Sequence, residues 1–270
     1  MKTLHAFPTT SRENPVNPMR PSLFTVAAAA AIALSACGDM KTMNVESLTQ
    51  VGGSALKAAS LTDSDIKELS NGSCAEMDKK SKIAGPADRY TVRLASVTRS
   101  MPAAINDQPV NYKVYLTKDV NAWAMANGCI RVYSGLMDLM NDDELRGVIG
   151  HEEGHVALGH TRKAMQTAYA AAAVRQLAGA TGGAAAALSQ SQLGDLAEKL
   201  VNAQFSQSQE SEADDYSFKL LTDRKLKRDG LVTAFQKLAR LDGGKSSMFS
   251  SHPSSAERAQ NMQKKIDQKT

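Results

Sequence analysis

The distribution of apolar and polar residues predicts a mainly helical chain with one short β-region before its midpoint. A first helix is predicted near Asp63–Lys80. Apolar residues at helical spacing predict a second helix at Asp88–Met101. Val110–Leu116 alternates apolar and polar residues and is rich in β-formers, which predicts a strand. Cys129–Tyr133 follows the turn signal Asn127-Gly128 and predicts a second strand.

A polar residue followed by three acids marks the start of a central helix. Asn141 is a favourable N-cap, and acids in the first turn suit the positive end of a helix. We expect this helix to run to about Lys163. The Ala-rich segment Ala168–Leu188 is predicted to pack as a helix broken at its glycines, because its uncharged run is too short to span a bilayer. Gln192–Asp223 is predicted as one long helix.

The N-terminal region has the layout of a secretory signal peptide. Arg20 precedes an uncharged apolar stretch, Leu23–Ala36, which is too short for a comfortable membrane span. The stretch ends in Leu-Ser-Ala followed by Cys37, which resembles the lipid-attachment motif of bacterial lipoproteins. We therefore expect Cys37 to carry lipid and to tether the protein to a membrane.

This layout predicts how the chain is divided. Met1–Pro18 is polar and proline-containing, a poor start for a signal peptide, so we hypothesise that translation begins at Met19. Gly38 follows the lipid-bearing cysteine where inner-membrane lipoproteins of enteric type have Asp, which favours an outer-membrane protein facing the periplasm. The predicted divisions are a signal peptide at 1–36, a lipidated N-terminus and tether at 37–62, and a globular domain at 63–270.

Composition and charge narrow the class of protein. Of 270 residues, 42% are hydrophobic and 22% are charged, so a core can form. The net charge of +4 is spread without a basic stripe or interleaved aromatic residues, so nucleic acid is not an expected partner. If Cys37 carries lipid, Cys74 and Cys129 remain as a pair in an oxidising compartment. We predict a disulfide between them, and the alternative is two buried free thiols.

The central helix contains a metal-binding pattern, His151-Glu-Glu-Gly-His155, which fits H-E-x-x-H. Residues four apart lie on one face of a helix, so both imidazoles can bind one Zn²⁺. Glu152 is rotated by about 100° and can reach a zinc-bound water as its general base. Because zinc lowers the pKa of that water to about 7, the pattern predicts hydrolysis of peptide bonds. The alternative is a surface helix with incidental histidines.

The third ligand is predicted to be a glutamate from a later helix. A metzincin has Gly and His three and six residues after the second histidine, where this chain has Leu158 and Thr161. His160 is expected to point away from the metal towards carbonyl groups at the end of its helix.

Two acids one turn apart in a later helix supply the missing contacts. Glu210 can bind zinc, and Asp214 can accept the free N–H of a zinc-bound imidazole. Glu212 points elsewhere, and an acidic solvated helix is the alternative.

Together these motifs resemble the HtpX/BepA/LoiP-type membrane-associated gluzincin metallopeptidases. The resemblance rests on H-E-x-x-H, on the order Asn121-Ala-Trp-Ala then Gly128-Cys-Ile-Arg-Val-Tyr-Ser-Gly135, on Glu210-Ser-Glu-Ala-Asp214, and on a late His-Pro followed by Arg. It implies an α+β fold, a mainly helical thermolysin-like zincin domain with a small sheet above the active-site helix. It also implies one Zn²⁺ per chain and protein substrates, which we expect to be misfolded envelope proteins.

The resemblance also implies roles for residues outside the zinc motif. The predicted sheet edge that pairs with an extended substrate is Cys129, Ile130, Arg131, Val132 and Tyr133. His252 is either a latch that occupies the fourth ligand position or a turn histidine fixed by Pro253. Arg258 either stabilises the oxyanion or pairs with an acid. A competing hypothesis is a chaperone-like outer-membrane assembly factor for which hydrolysis is secondary, and outer-membrane assembly or protease proteins are possible partners.

Overall fold

The structure is a computed structural model that describes residues 61–173, 188–241, 252 and 255–268. The predicted signal peptide, Cys37, the tether before Leu61, the glycine pair Gly182-Gly183 and Pro253 lie outside the described residues. Within the described part of the chain, no helix combines the length and the apolarity that crossing a bilayer requires.

Helices make up most of the described chain, as predicted. Several begin at side-chain caps: Thr62 and Asp65 form a capping box, Asn141 and Glu144 form another, and Ser206 caps the helix that begins at Gln207. The helices are α1 (Asp63–Lys80), α2 (Arg89–Thr98), α3 (Ser134–Leu139), α4 (Asp142–Ala157), α5 (His160–Ala173), α6 (Gln190–Val201), α7 (Gln207–Asp223), α8 (Asp229–Arg240) and α9 (Ser255–Asp267). The mainly helical α+β fold class is confirmed.

The small sheet has three strands in the order β3-β5-β4. The strands are β3 (Asn111–Tyr115), β4 (Ala122–Ala124) and β5 (Cys129–Tyr133), and a separate two-residue hairpin is formed by β1 (Ala104–Ile105) and β2 (Gln108–Pro109). β5 pairs in parallel with β3 and antiparallel with β4. The prediction that Cys129–Tyr133 is the edge strand is therefore wrong: hydrogen bonds occupy both its sides, and β4 is an edge of this sheet.

Two predicted helices are each divided in two. The central helix ends at Ala157, because Gly159 adopts a left-handed φ of 75° and turns the chain before α5 begins at His160. The expected continuation to Lys163 is therefore wrong. Likewise, Gln192–Asp223 is not one helix: α6 ends at Val201, and Ser206 caps α7 through the backbone N–H of Gln209.

Glycines let α4 and α7 pack closely. A Cβ added at Gly150 would lie 2.6 Å from Ser217 Oγ, and one at Gly154 would lie 3.0 Å from the Cα and carbonyl oxygen of Ala213. Only residues without a side chain permit this approach. The glycine within the H-E-x-x-H pattern therefore brings α7, and with it Glu210, against the central helix.

Helix α1 is held to the sheet by covalent and ionic contacts. Cys74 and Cys129 are joined as a disulfide in the structure, with their Cα atoms 6.6 Å apart. Beside them, Asp78 accepts hydrogen bonds from Arg131 at 2.8 Å and from Lys113 at 2.7 Å. Burial alone raises the pKa of Asp78, but its hydrogen bonds to Arg131, Lys113 and Tyr115 outweigh burial and lower the pKa to about 2.

Candidate metal centre

Four buried side chains from three parts of the chain converge between α4 and α7. His151 and His155 come from α4, Glu210 comes from the first turn of α7, and His252 precedes α9. One ligand atom from each lies within 4.8 Å of all the others. The structure thus brings the three residues predicted as metal ligands together, and it adds His252 as a fourth donor.

The spacing of these atoms fits a tetrahedral cation. With zinc bonds of about 2.0–2.1 Å, neighbouring ligand atoms of a tetrahedron are about 3.3–3.4 Å apart. The two Nε2 atoms of His151 and His155 are separated by 3.0 Å, and Glu210 oxygens lie 3.4 and 3.5 Å from them. His252 Nδ1 is 3.3 Å from His151 Nε2. Nitrogen donors combined with a carboxylate are the donor set that zinc prefers, so these residues fit the metal.

Asp214 and Arg258 both contact Nδ1 of His151. Asp214 Oδ1 lies 2.9 Å from His151 Nδ1, the geometry expected for a carboxylate that fixes a metal-binding imidazole. Arg258 donates to both oxygens of Asp214, at 2.8 and 2.7 Å, and its Nη1 lies 2.7 Å from Glu210 Oε2. Burial alone raises the pKa of Asp214, but Arg258 and His151 outweigh it, so the pKa is lowered and the carboxylate stays charged.

Two roles were considered for Arg258, oxyanion stabilisation and pairing with an acid. Its contacts in the structure are those of pairing with acids. Its guanidinium is buried, bridges Glu210 and Asp214, and lies 4.2 Å over the ring of Phe235. Planar guanidinium groups suit such bidentate contacts to carboxylates. With its donors directed at these two acids, Arg258 orients the carboxylates around the histidines.

Glu152 has the environment of a general base. The side chain is buried, and its Oε1 has no hydrogen-bond partner among the described residues. Burial raises the pKa of Glu152 above its ordinary value, although His252 and His151 act in the opposite direction. A buried carboxylate oxygen outside any described hydrogen bond, 3.5 Å from Nε2 of His252, can accept a proton from a nearby water.

The neighbouring acid, Glu153, faces away from the cluster. Its carboxylate accepts a hydrogen bond from Tyr112 on β3, and burial raises its pKa to about 7. This contact ties the central helix to the sheet, so Glu153 is not part of the ligand set.

Contacts to His155 were not predicted from the sequence. Its Nδ1 lies 3.0 Å from Nδ1 of His160, whose Nε2 lies 3.1 Å from Glu212 Oε2. Phe205 stacks on the His155 ring, with centroids 3.9 Å apart. The expectation that His160 faces helix-end carbonyls is wrong, because the turn at Gly159 starts a new helix there. That glycine was the sequence signal for the turn.

An apolar pocket adjoins the cluster and the edge strand. Glu152 and His252 line one part of it. The apolar lining includes Trp123, Met125, Met165, Leu200 and Phe205. The cavity holds only about 20 Å³, so it offers an apolar surface beside the cluster but no room for a large side chain.

The edge strand β4 has backbone groups that its pairing with β5 does not use. Tyr133 N–H donates to the carbonyl of Asn121, and Met125 N–H donates to the carbonyl of Cys129. Because antiparallel pairs alternate, the N–H and C=O groups of Ala122 and Ala124 then face away from β5. No described strand pairs with that side.

Comparisons with known proteins show which chains this one is similar to. The chain matches peptidase family M48 over residues 89–266. It is 54% identical to metalloprotease LoiP of Escherichia coli (strain K12), an alignment that covers 89% of this chain and 95% of the relative. It is 51% identical to metalloprotease YcaL of the same organism, over 90% of this chain and 96% of the relative.

Proposed function

This chain belongs to peptidase family M48 and is a metalloprotease, and from that premise we propose that it is a zinc-dependent endopeptidase. The proposed ligands are His151, His155 and Glu210. The single observation that supports the proposal best is that their donor atoms lie at tetrahedral spacing beside a buried glutamate, Glu152, with a free oxygen.

The residues have separate roles in the proposed reaction. His151, His155 and Glu210 would hold the zinc, which would lower the pKa of water and polarise the carbonyl of the scissile peptide. Glu152 accepts the proton of the attacking water through its free oxygen and passes it to the departing amine. Asp214 and Arg258 keep the ring of His151 and the carboxylate of Glu210 in place.

We place the substrate on β4, in correction of the expected edge at β5. An extended peptide can form main-chain hydrogen bonds with this edge at the partly exposed Ala124, and such pairing is largely independent of sequence. Its side chains can then contact the apolar surface that Trp123 and Phe205 line. Preference for exposed apolar segments suits a protease of misfolded envelope proteins.

His252 is proposed as a latch. It supplies the fourth donor, with Nδ1 2.9 Å from Glu210 Oε1 and Nε2 3.5 Å from Glu152 Oε1. Catalytic zinc sites keep a position open for water or substrate. Since His252 lies where that position is needed, it has to withdraw before hydrolysis. A His252→Ala protein with faster peptide cleavage and unchanged zinc content supports the latch, and one with slower cleavage contradicts it.

A lipid on Cys37 is the proposed anchor to the outer membrane, with the domain in the periplasm. This proposal rests on the signal-peptide pattern and on Gly38. Labelling cells with radioactive palmitate tests it: the unmodified protein is expected to incorporate label, and Cys37→Ala is not.

Replacement of Glu152 by Gln tests the proposed chemistry. The amide keeps the shape of the side chain but cannot accept the proton, so we expect casein cleavage to fall by about 10²–10⁴-fold while zinc content stays stoichiometric. Unchanged cleavage would contradict the assigned base. An outer-membrane assembly phenotype that survives Glu152→Gln would instead favour the chaperone-like alternative.

A further inference from the structure

The two histidines of the zinc motif have different contact partners at their Nδ1 atoms. A buried carboxylate, Asp214, contacts the Nδ1 of His151 directly. On His155 the corresponding atom contacts a second imidazole, that of His160, at 3.0 Å between the two Nδ1 atoms. His160 is itself buried, and its Nε2 reaches Glu212, whose side chain is 54% exposed. A continuous chain of contacts thus runs from the metal ligands to the protein surface.

The proton positions along this chain follow from the proposed function, on which the inference rests. A His155 that binds zinc through Nε2 has no proton there, so a neutral ring carries its proton on Nδ1. That N–H can only donate to an unprotonated Nδ1 of His160. The proton of a neutral His160 is then on Nε2, where Glu212 Oε2 lies 3.1 Å away to accept it. Every contact in the chain then has one donor and one acceptor.

We propose that His160 and Glu212 are positioning residues that fix the tautomer and ring orientation of His155 for metal binding. They do for this ligand what Asp214 does for His151. Glu212 is itself oriented by Ser208, whose hydroxyl donates to Oε1 at 2.8 Å. Such hydrogen-bond partners raise the basicity of a metal-binding imidazole and hold it in one rotamer.

The turn after the central helix makes this contact possible. On an uninterrupted helix, a residue five positions after His155 would point about 140° away from it. Gly159, with a φ of 75°, ends the helix and lets His160 return towards His155. The ring of Phe205, which stacks on His155, then limits rotation of that imidazole. The short Leu158-Gly159 break therefore has a role at the metal site as well as in the fold.

Metal affinity in the full-length protein tests this proposal. Zinc Kd is measured by competition with a chromophoric chelator for the unmodified protein, His160→Leu, His160→Asn and Glu212→Ala. His160→Leu removes the acceptor. His160→Asn keeps an oxygen near the position of Nδ1, so it serves as the conservative variant. The exposed Glu198→Gln, on α6 away from the cluster, is the matched control.

We expect His160→Leu to raise the zinc Kd by about 10- to 100-fold, the usual effect of removing a hydrogen-bond partner from a metal-binding side chain. Glu212→Ala is expected to raise it by only about 3- to 10-fold, because water can replace a half-exposed carboxylate. His160→Asn should restore most of the affinity, and Glu198→Gln should change nothing. The visible spectrum of the cobalt-substituted protein should shift in His160→Leu and stay close to normal in His160→Asn.

Two results separate this inference from the proposed function. Stoichiometric zinc in the unmodified protein, with an unchanged Kd in His160→Leu, would overturn the positioning role alone. Absence of zinc binding in the unmodified protein would overturn the metal site and this inference with it. If circular dichroism shows that His160→Leu does not fold, Glu212→Ala decides the question, and an unchanged Kd there overturns the proposal.

Discussion

Substitution of Gly150 by Ala tests whether close packing of α7 on α4 sets the metal site. The new Cβ would lie 2.6 Å from Ser217 Oγ, whereas ordinary contacts begin at 3.4 Å. Ser217 Oγ cannot turn away freely, because it donates to the carbonyl of Gly147 at 2.9 Å in the buried interface. The helices must therefore separate, or that hydrogen bond must break.

The expected loss of stability is moderate. Forcing an extra methyl group into a packed interface costs about 1–3 kcal/mol, and the better helix propensity of Ala returns up to about 1 kcal/mol. We expect the free energy of unfolding to fall by about 1–2 kcal/mol. Glu210 lies about two turns before Ser217 on α7, so movement of this helix also displaces a ligand. The zinc Kd should therefore rise by about 10-fold or more, the scale for a disturbed ligand shell.

Urea unfolding of the metal-free protein and chelator competition measure the two effects. The double variant Gly150→Ala with Ser217→Ala should regain part of the zinc affinity, because it removes the 2.6 Å contact and leaves only a Cβ contact of 3.3 Å. Gly85→Ala, where an added Cβ meets nothing within 4 Å, is the control. A Gly150→Ala protein with unchanged stability and unchanged zinc Kd would refute the packing argument.

Three further predictions follow from contacts around the site and the sheet. Asp214→Asn should raise the zinc Kd by about 10- to 100-fold, measured by chelator competition, because His151 loses its charged acceptor. Asp78→Asn should cost about 1 kcal/mol at pH 7 after allowance for solvent screening. Because the pKa of Asp78 is lowered to about 2, its contribution is present above about pH 4 and disappears as pH falls to about 2, so acid unfolding should be less steep in the variant. Replacement of Cys74 and Cys129 by Ala should lower the unfolding free energy by about 4 kcal/mol, and an alkylation assay that finds two free thiols in the unmodified protein would contradict the disulfide.

Local signals in the sequence identified much of the fold. The predicted helix Asp63–Lys80 has the same bounds in the structure, and the predicted strand Val110–Leu116 contains the observed Asn111–Tyr115. The turn at Asn127-Gly128 agrees with a φ of 79° at Gly128. These features depend on near neighbours, namely caps, alternation and turn residues, so a short stretch of sequence is enough to predict them.

Both helix breaks had local signals in the sequence. Gly159 follows the last turn of α4, and Ser206 with Gln209 has the pattern of a capping box. The predictions of single long helices did not use these signals. A cap signal locates a helix end well, because it supplies partners for backbone groups that the helix leaves unpaired.

The sequence by itself determined the chemistry of the candidate centre, because the spacing of His151 and His155 fixes two imidazoles on one helix face whatever surrounds them. Tertiary structure alone decided which groups support that chemistry. Arg258 pairs with two acids, His160 contacts His155, and β4 rather than β5 is an edge strand of the described sheet. Each of these outcomes depends on how separate helices and strands pack against one another. Strand order and contacts between distant side chains leave no periodic signal in the segments that make them, so only the folded chain specifies them.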